Sequence, residues 1–132
     1  MALKIGNKLF ISWDDINILV DELCHTIKAS GAQIKSITGI ERGGLIPAVM
    51  ISHRLSIPYV TKINKDTLVV DDICDSGETL KTTIARYTAT LHYKPTAVFT
   101  PDFYSKEIKD TTWIVYPWER MDSQPIQDYL KK

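Results

Sequence analysis

The chain has 132 residues, 44% of them hydrophobic, and its 16 Lys plus Arg are balanced by 16 Asp plus Glu, for a formal net charge of zero. That length and composition suit one globular domain, residues 1–132, with a core of its own. The charge balance speaks against a nucleic-acid coat or a membrane-surface protein.

No stretch approaches the ~18 consecutive apolar residues of a membrane span. The first ten residues lack the apolar segment and small-residue cleavage site of a secretory leader, so a cytoplasmic protein is expected. Cys24 and Cys74 form no C-x-x-C pair, which argues against a zinc site.

In chain order, Lys8 to Ile11 reads as a short strand. Ser12 is placed to cap a helix whose first turn holds Asp14 and Asp15, where the helix dipole favours acid. Ile16, Leu19, Val20, Leu23 and Ile27 recur at helical spacing, and Gly31 is placed to end the helix. Ile34 to Ile40 is short and β-branched, a strand, and Glu41-Arg42-Gly43-Gly44 breaks it. A second helix is expected from Leu45 to His53. Ile57 to Val60 reads as a strand at an edge, because Pro58 cannot donate to a ladder. Thr67 to Val70 has the unbroken apolar character of a strand buried on both faces.

After the small polar segment Cys74 to Thr79, the spacing of Leu80, Ile84 and Tyr87 predicts a third helix. Thr96 to Phe99 is the expected fourth core strand, and Trp113 to Tyr116 a later one. Strands alternating with helices imply βαβ units and a mostly parallel central sheet flanked by helices.

The chemistry is concentrated in Leu68-Val69-Val70-Asp71-Asp72-Ile73-Cys74-Asp75-Ser76-Gly77-Glu78-Thr79-Leu80. A buried strand ends in two adjacent carboxylates, a short loop with hydroxyls and a glycine follows, and a helix begins. Ligands of open parallel sheets bind beyond the carboxyl ends of the strands. Backbone N–H groups at a helix start suit a phosphate, the hydroxyls of Ser76 and Thr79 add donors, and Gly77 permits close approach. Asp71 and Asp72 can accept hydrogen bonds from vicinal hydroxyls. The pattern therefore suits a sugar phosphate. It lacks the G-K-[ST] of a Walker A loop and the G-x-G-x-x-G of a dinucleotide site. An ordinary strand–turn–helix with capping residues would share its parts, though not this combination of them.

This stretch resembles the signature with which type I phosphoribosyltransferases bind 5-phosphoribosyl-1-pyrophosphate (PRPP). The order of the chain from Phe10 to Glu119 is similar to that of the bacterial xanthine–guanine enzymes: Ser12-Trp13-Asp14 at the first helix, Arg42-Gly43-Gly44-Leu45 after a strand, and Trp113-Ile114-Val115-Tyr116-Pro117-Trp118-Glu119 near the end. The resemblance implies a three-layer α/β fold with a small C-terminal base-binding segment. It implies transfer of a phosphoribosyl group from PRPP to a nucleobase, a 6-oxopurine such as guanine, xanthine or hypoxanthine, in a homodimer or homotetramer.

It further implies that Asp71 and Asp72 hold the ribose hydroxyls, partly through magnesium, and that Asp75, Ser76, Gly77, Glu78 and Thr79 form the 5-phosphate loop, Glu78 through its backbone only. Asp75 would be the catalytic carboxylate near N7 of the base; by its position alone it could also be a helix cap. Arg42, Gly43 and Gly44 would bind pyrophosphate, with a non-proline cis peptide between Glu41 and Arg42. Trp113 would stack on the base with Ile114 beside it; alone, it would equally suit a core.

Two features depart from the family. Its purine enzymes carry a lysine after the fourth core strand, and counting from Thr96–Phe99 puts Thr100 there. They also carry a long mobile loop before the PRPP strand, where this chain has only residues 61–66, with Lys62 and Lys65. A non-catalytic PRPP- or nucleotide-binding regulatory module, or a phosphoribosyltransferase for another base, therefore stays open as an alternative.

Overall fold

The computed structural model describes residues 2–119. Strands β1 (Leu3–Ile5) and β2 (Lys8–Phe10) form a hairpin around Gly6, whose φ is +61°. Helix α1 (Trp13–Ser30) starts where the sequence places it: the Ser12 hydroxyl accepts from Asp15 N–H, and the Asp15 carboxylate accepts from Ser12 N–H. This reciprocal pair satisfies two otherwise orphaned donors. Gly31 ends the helix in the left-handed conformation.

The central sheet has four strands in the order β3 (Ser36–Gly39), β4 (Thr67–Cys74), β5 (Tyr87–Tyr93) and β6 (Phe103–Glu107), all parallel. Helix α2 (Leu45–Leu55) connects β3 to β4, and the five-residue α3 (Glu78–Thr82) connects β4 to β5. A second sheet, β1–β2–β7, pairs β2 in parallel with β7 (Trp113–Val115).

The main core joins Ile16, Val20, Leu23 and Ile27 of α1 and Ala48 and Ile51 of α2 to Leu68, Val70, Ala89 and Leu91 of the sheet. A smaller cluster of Val69, Cys74, Leu80 and Tyr93 brings α3 onto the sheet through Leu80. Alternate residues of β4 thus serve different clusters, as the two-residue period of a strand requires. The architecture is the expected α/β one, with helices flanking a parallel sheet.

Three expectations fail locally, and two strands were not anticipated. Ile57 to Val60 pairs at one residue only, Tyr59 against Ile37; Ile37 N–H reaches the Pro58 carbonyl, and the Ile37 carbonyl accepts from Val60 N–H. The third helix stops at Thr82. Thr82 and Thr83 hydroxyls donate back to the carbonyls of Glu78 and Thr79, Ile84 is 91% exposed, and Tyr87 already belongs to β5. Thr96 to Phe99 is a turn rather than a strand; the strand lies at Tyr87–Tyr93. Strands β1 and β6 have no counterpart among the expected elements. The reason for the error at β5 is its polar content: Thr88, Thr90 and His92 are all buried, whereas alternating polar residues ordinarily mark a solvated face.

Candidate functional site

Three loops meet at the carboxyl edge of the parallel sheet, where open α/β sheets bind ligands. They are residues 40–44 after β3, residues 75–77 after β4, and the segment from Lys94 onward after β5.

Strand β4 outruns β3, which pairs with it only as far as Gly39 opposite Val70. Asp71 and Asp72 lie in this overhang and are half-buried. Asp71 Oδ1 accepts from Asp72 N–H at 2.9 Å, and Asp72 Oδ1 accepts from Ile73 N–H at 2.8 Å. Each carboxylate is therefore oriented by the backbone beside it. Gly43 lies directly against the Asp72 side chain, and a Cβ at position 43 would collide with its Oδ2. The loop after β3 and the acid pair thus touch. The Glu41–Arg42 peptide is cis, as the resemblance implied, and the Arg42 carbonyl accepts from Leu45 N–H at the start of α2.

Beyond β4, the Ser76 hydroxyl accepts from Glu78 N–H at 3.3 Å, and the Ser76 carbonyl accepts from Val98 N–H. Gly77 has φ +83°, a left-handed conformation costly for other residues, and a Cβ there would meet the Phe99 backbone at 2.8 Å. Cys74 donates its thiol to the Phe99 carbonyl at 3.2 Å. Burial, with the charges of Asp71 and Asp75, pushes that thiol up to about 12, so it is a packing residue rather than a nucleophile.

A further residue at this edge, which sequence reasoning missed, is Lys94. It is only 7% exposed, its backbone N–H donates to the Cys74 carbonyl at 2.9 Å, and its Nζ stands 3.5 Å from Asp75 Oδ1. A nearly buried ammonium paired with a half-buried carboxylate presents a donor and an acceptor side by side. With the strand expected at Thr96–Phe99 found instead at Tyr87–Tyr93, Lys94 is the residue that follows it. Thr100 lies on the exposed loop beyond and shares a hydrogen bond of 3.2 Å with the Tyr93 hydroxyl. The missed signal was the run Tyr87 to Tyr93, rich in strand formers and followed at once by Lys94-Pro95.

The C-terminal segment reaches the site through Tyr116, whose hydroxyl donates to the Asp72 carbonyl at 3.1 Å. Trp113 is half-buried in β7, and its indole N–H has no partner among the described residues. Ile114 is buried in the main core, and Trp118 stacks on Tyr116. Asp110 accepts from Thr112 N–H and is held below the usual carboxylate range by Thr112.

No cluster of three or more His, Cys, Asp or Glu able to hold a metal occurs among the described residues. The adjacent Asp71 and Asp72 supply hard oxygen donors. Such a pair fits magnesium, which keeps several waters and takes ligand phosphates rather than a complete protein cage.

No protein-family model matches the chain. Proteins named xanthine-guanine phosphoribosyltransferase are similar to it: one from Cereibacter sphaeroides is 29% identical, covering 90% of both chains, and one from Idiomarina loihiensis is 28% identical, covering 90% of this chain and 91% of its own. The crystal structure of a purine phosphoribosyltransferase from Pyrococcus horikoshii superposes with a TM-score of 0.78 at 28% identity, covering 90% of this chain and 99% of that one. With its acid pair and glycine loops at the carboxyl edge of the same fold, and with likeness running along nine-tenths of its length, the chain has the fold of the type I phosphoribosyltransferases and is similar in sequence to their purine enzymes.

Proposed function

We propose that the chain transfers the 5-phosphoribosyl group of PRPP to a 6-oxopurine, guanine, xanthine or hypoxanthine, with release of pyrophosphate. The observation that carries this reading is the pairing of Lys94 with Asp75, 3.5 Å apart, at the edge that also holds Asp71 and Asp72. A 6-oxopurine offers its O6 and N7 next to each other on one edge. The Lys94 ammonium donates to O6, and Asp75 accepts the proton of N7 as the new glycosidic bond forms at N9. A 6-aminopurine would turn a donor toward the ammonium. The pair therefore discriminates against adenine by leaving buried donors unmatched.

In this reading Asp71 and Asp72 hold the ribose 2- and 3-hydroxyls. Arg42 and the backbone of Gly43 and Gly44 bind the pyrophosphate, for which a guanidinium fork is well shaped. The hydroxyls of Ser76 and Thr79 and the backbone at Gly77 and Glu78 take the 5-phosphate. Trp113 stacks on the base, and Ile114 supports it from the core. Asp71 and Asp72 would hold magnesium directly or through water, and the bound ion would supply charge neutralisation for the leaving pyrophosphate. The protein's own contribution is positioning and charge stabilisation around an oxocarbenium-like C1.

We place the enzyme in the cytoplasm as a homodimer or homotetramer. Two buried free thiols, Cys24 and Cys74, suit a reducing compartment.

The test is pyrophosphate release from PRPP and magnesium with guanine, xanthine, hypoxanthine, adenine, uracil or orotate, and with no base. Release that depends on a 6-oxopurine is expected. Release with adenine or a pyrimidine alone would overturn the assignment of Lys94. PRPP binding without base-dependent release would make the chain a binding module.

A further inference from the structure

Strand β5 carries a buried histidine that the chemistry above does not use. His92, 1% exposed, places Nδ1 2.7 Å from the hydroxyl of Tyr116, itself 2% exposed. That hydroxyl donates its one hydrogen to the Asp72 carbonyl at 3.1 Å. It must therefore accept from His92, which sets the proton of the neutral imidazole on Nδ1.

Three further contacts hold Tyr116 in place. Its ring stacks on Trp118 with centroids 4.9 Å apart, Trp118 leans on Trp13 at the start of α1, and the Tyr116 N–H donates to Glu119 Oε1 at 2.8 Å.

The contact with Asp72 falls on a particular peptide. The Asp72 carbonyl and the Ile73 N–H belong to one planar unit. Its N–H end donates to the Asp72 carboxylate, and its carbonyl end accepts from Tyr116. Rotating that plane would break both bonds and swing the carboxylate.

We propose that Tyr116, oriented by His92, is a positioning residue for the acid pair: it fixes the Asp72–Ile73 peptide and, through it, the Asp72 carboxylate that meets the ribose and its magnesium. The same contact ties the C-terminal segment bearing Trp113 to the PRPP site. The inference rests on the function proposed above.

The experiment measures the dissociation constant of magnesium–PRPP by calorimetry and the thermal midpoint in three proteins: wild type, Tyr116→Phe, and His92→Phe combined with Tyr116→Phe. Tyr116→Phe keeps the ring and removes the hydroxyl. Loss of one buried hydrogen bond should weaken magnesium–PRPP binding roughly three- to tenfold and lower the midpoint. The double variant also removes the imidazole donor left without a partner, and replacing both members of a buried pair restores stability. Its midpoint should recover while its magnesium–PRPP affinity stays low, because the Tyr116 hydroxyl's bond to the Asp72 carbonyl is still missing.

Unchanged affinity in Tyr116→Phe, or an affinity that recovers together with the midpoint in the double variant, would overturn the positioning role and leave the function intact. A wild-type chain that binds no magnesium–PRPP would overturn both.

Discussion

Strands β4 and β5 lie side by side at the centre of one sheet, yet they are held by different means. The buried part of β4 is Thr67, Leu68, Val69 and Val70. Its one polar side chain, Thr67, is shared between the Ser36 hydroxyl and Asn64 N–H. Expulsion of water from apolar surface secures the rest without specific partners.

At the same depth, β5 buries Thr88, Thr90 and His92. Thr88 is satisfied by Asp102, and His92 by Tyr116. The Thr90 hydroxyl has no partner among the described residues. The acids of β4 stand beyond its apolar stretch, so they can change without touching what holds the strand. Thr88 and His92 of β5 cannot change without affecting another element.

The sharpest test of this division is Asp71→Asn with Asp72→Asn. Each carboxylate would lose charge-assisted hydrogen bonds to ligand, so pyrophosphate release should fall on the order of 1000-fold. The thermal midpoint should hardly move, and a large drop would show that the acids also hold the strand. Next, Asp75→Asn should lower kcat on the order of 100-fold, the contribution of a positioned general base, with magnesium–PRPP affinity kept; normal turnover would remove Asp75 from the chemistry.

On the β5 side, burial and the nearby Lys106 charge bring His92 from its ordinary 6.5 down to about 4. The fold thus favours the neutral ring, while the unfolded chain takes up a proton below 6.5. The stability this confers is complete above pH 6.5 and is lost as the pH falls toward 4, a loss of roughly 3 kcal/mol. His92→Phe with Tyr116→Phe should flatten this part of a denaturation profile measured against pH. An unchanged slope would mean that His92 does not govern it.

Lys94→Met should raise KM for a 6-oxopurine about tenfold, with little change in magnesium–PRPP binding. Equal weakening of both ligands would place Lys94 in the structural class instead. The smallest effect belongs to Thr90→Val, which removes a buried hydroxyl of unmet hydrogen-bonding capacity at nearly constant shape. A gain of up to about 1 kcal/mol in unfolding free energy is expected; a loss would reveal a partner for that hydroxyl.

The same division explains what could be read without coordinates. The helix α1 announced itself through Ser12, Asp15 and Gly31, because caps act locally. The buried part of β4 was legible because Val69-Val70-Asp71-Asp72 changes from apolar to charged within two residues, although the strand itself runs four residues further, to Cys74. Strand β5 was hidden because its polar residues find partners 14 and 24 positions away, at Asp102 and Tyr116, and no local pattern encodes such a bond. The apparent helical spacing of Leu80, Ile84 and Tyr87 filled the gap. That one misplacement carried through to the site, where it put Thr100 in the position that Lys94 holds. The backbone bridge from Tyr116 to Asp72 was invisible for the same reason.

The contact between Gly43 and Asp72 has a consequence for substitution as well as for chemistry. Any side chain at position 43 would occupy the volume of the Asp72 carboxylate. Positions 43 and 72 lie on separate connections of the fold, yet they share one small volume, so a side chain gained at 43 is a change imposed on the carboxylate of 72.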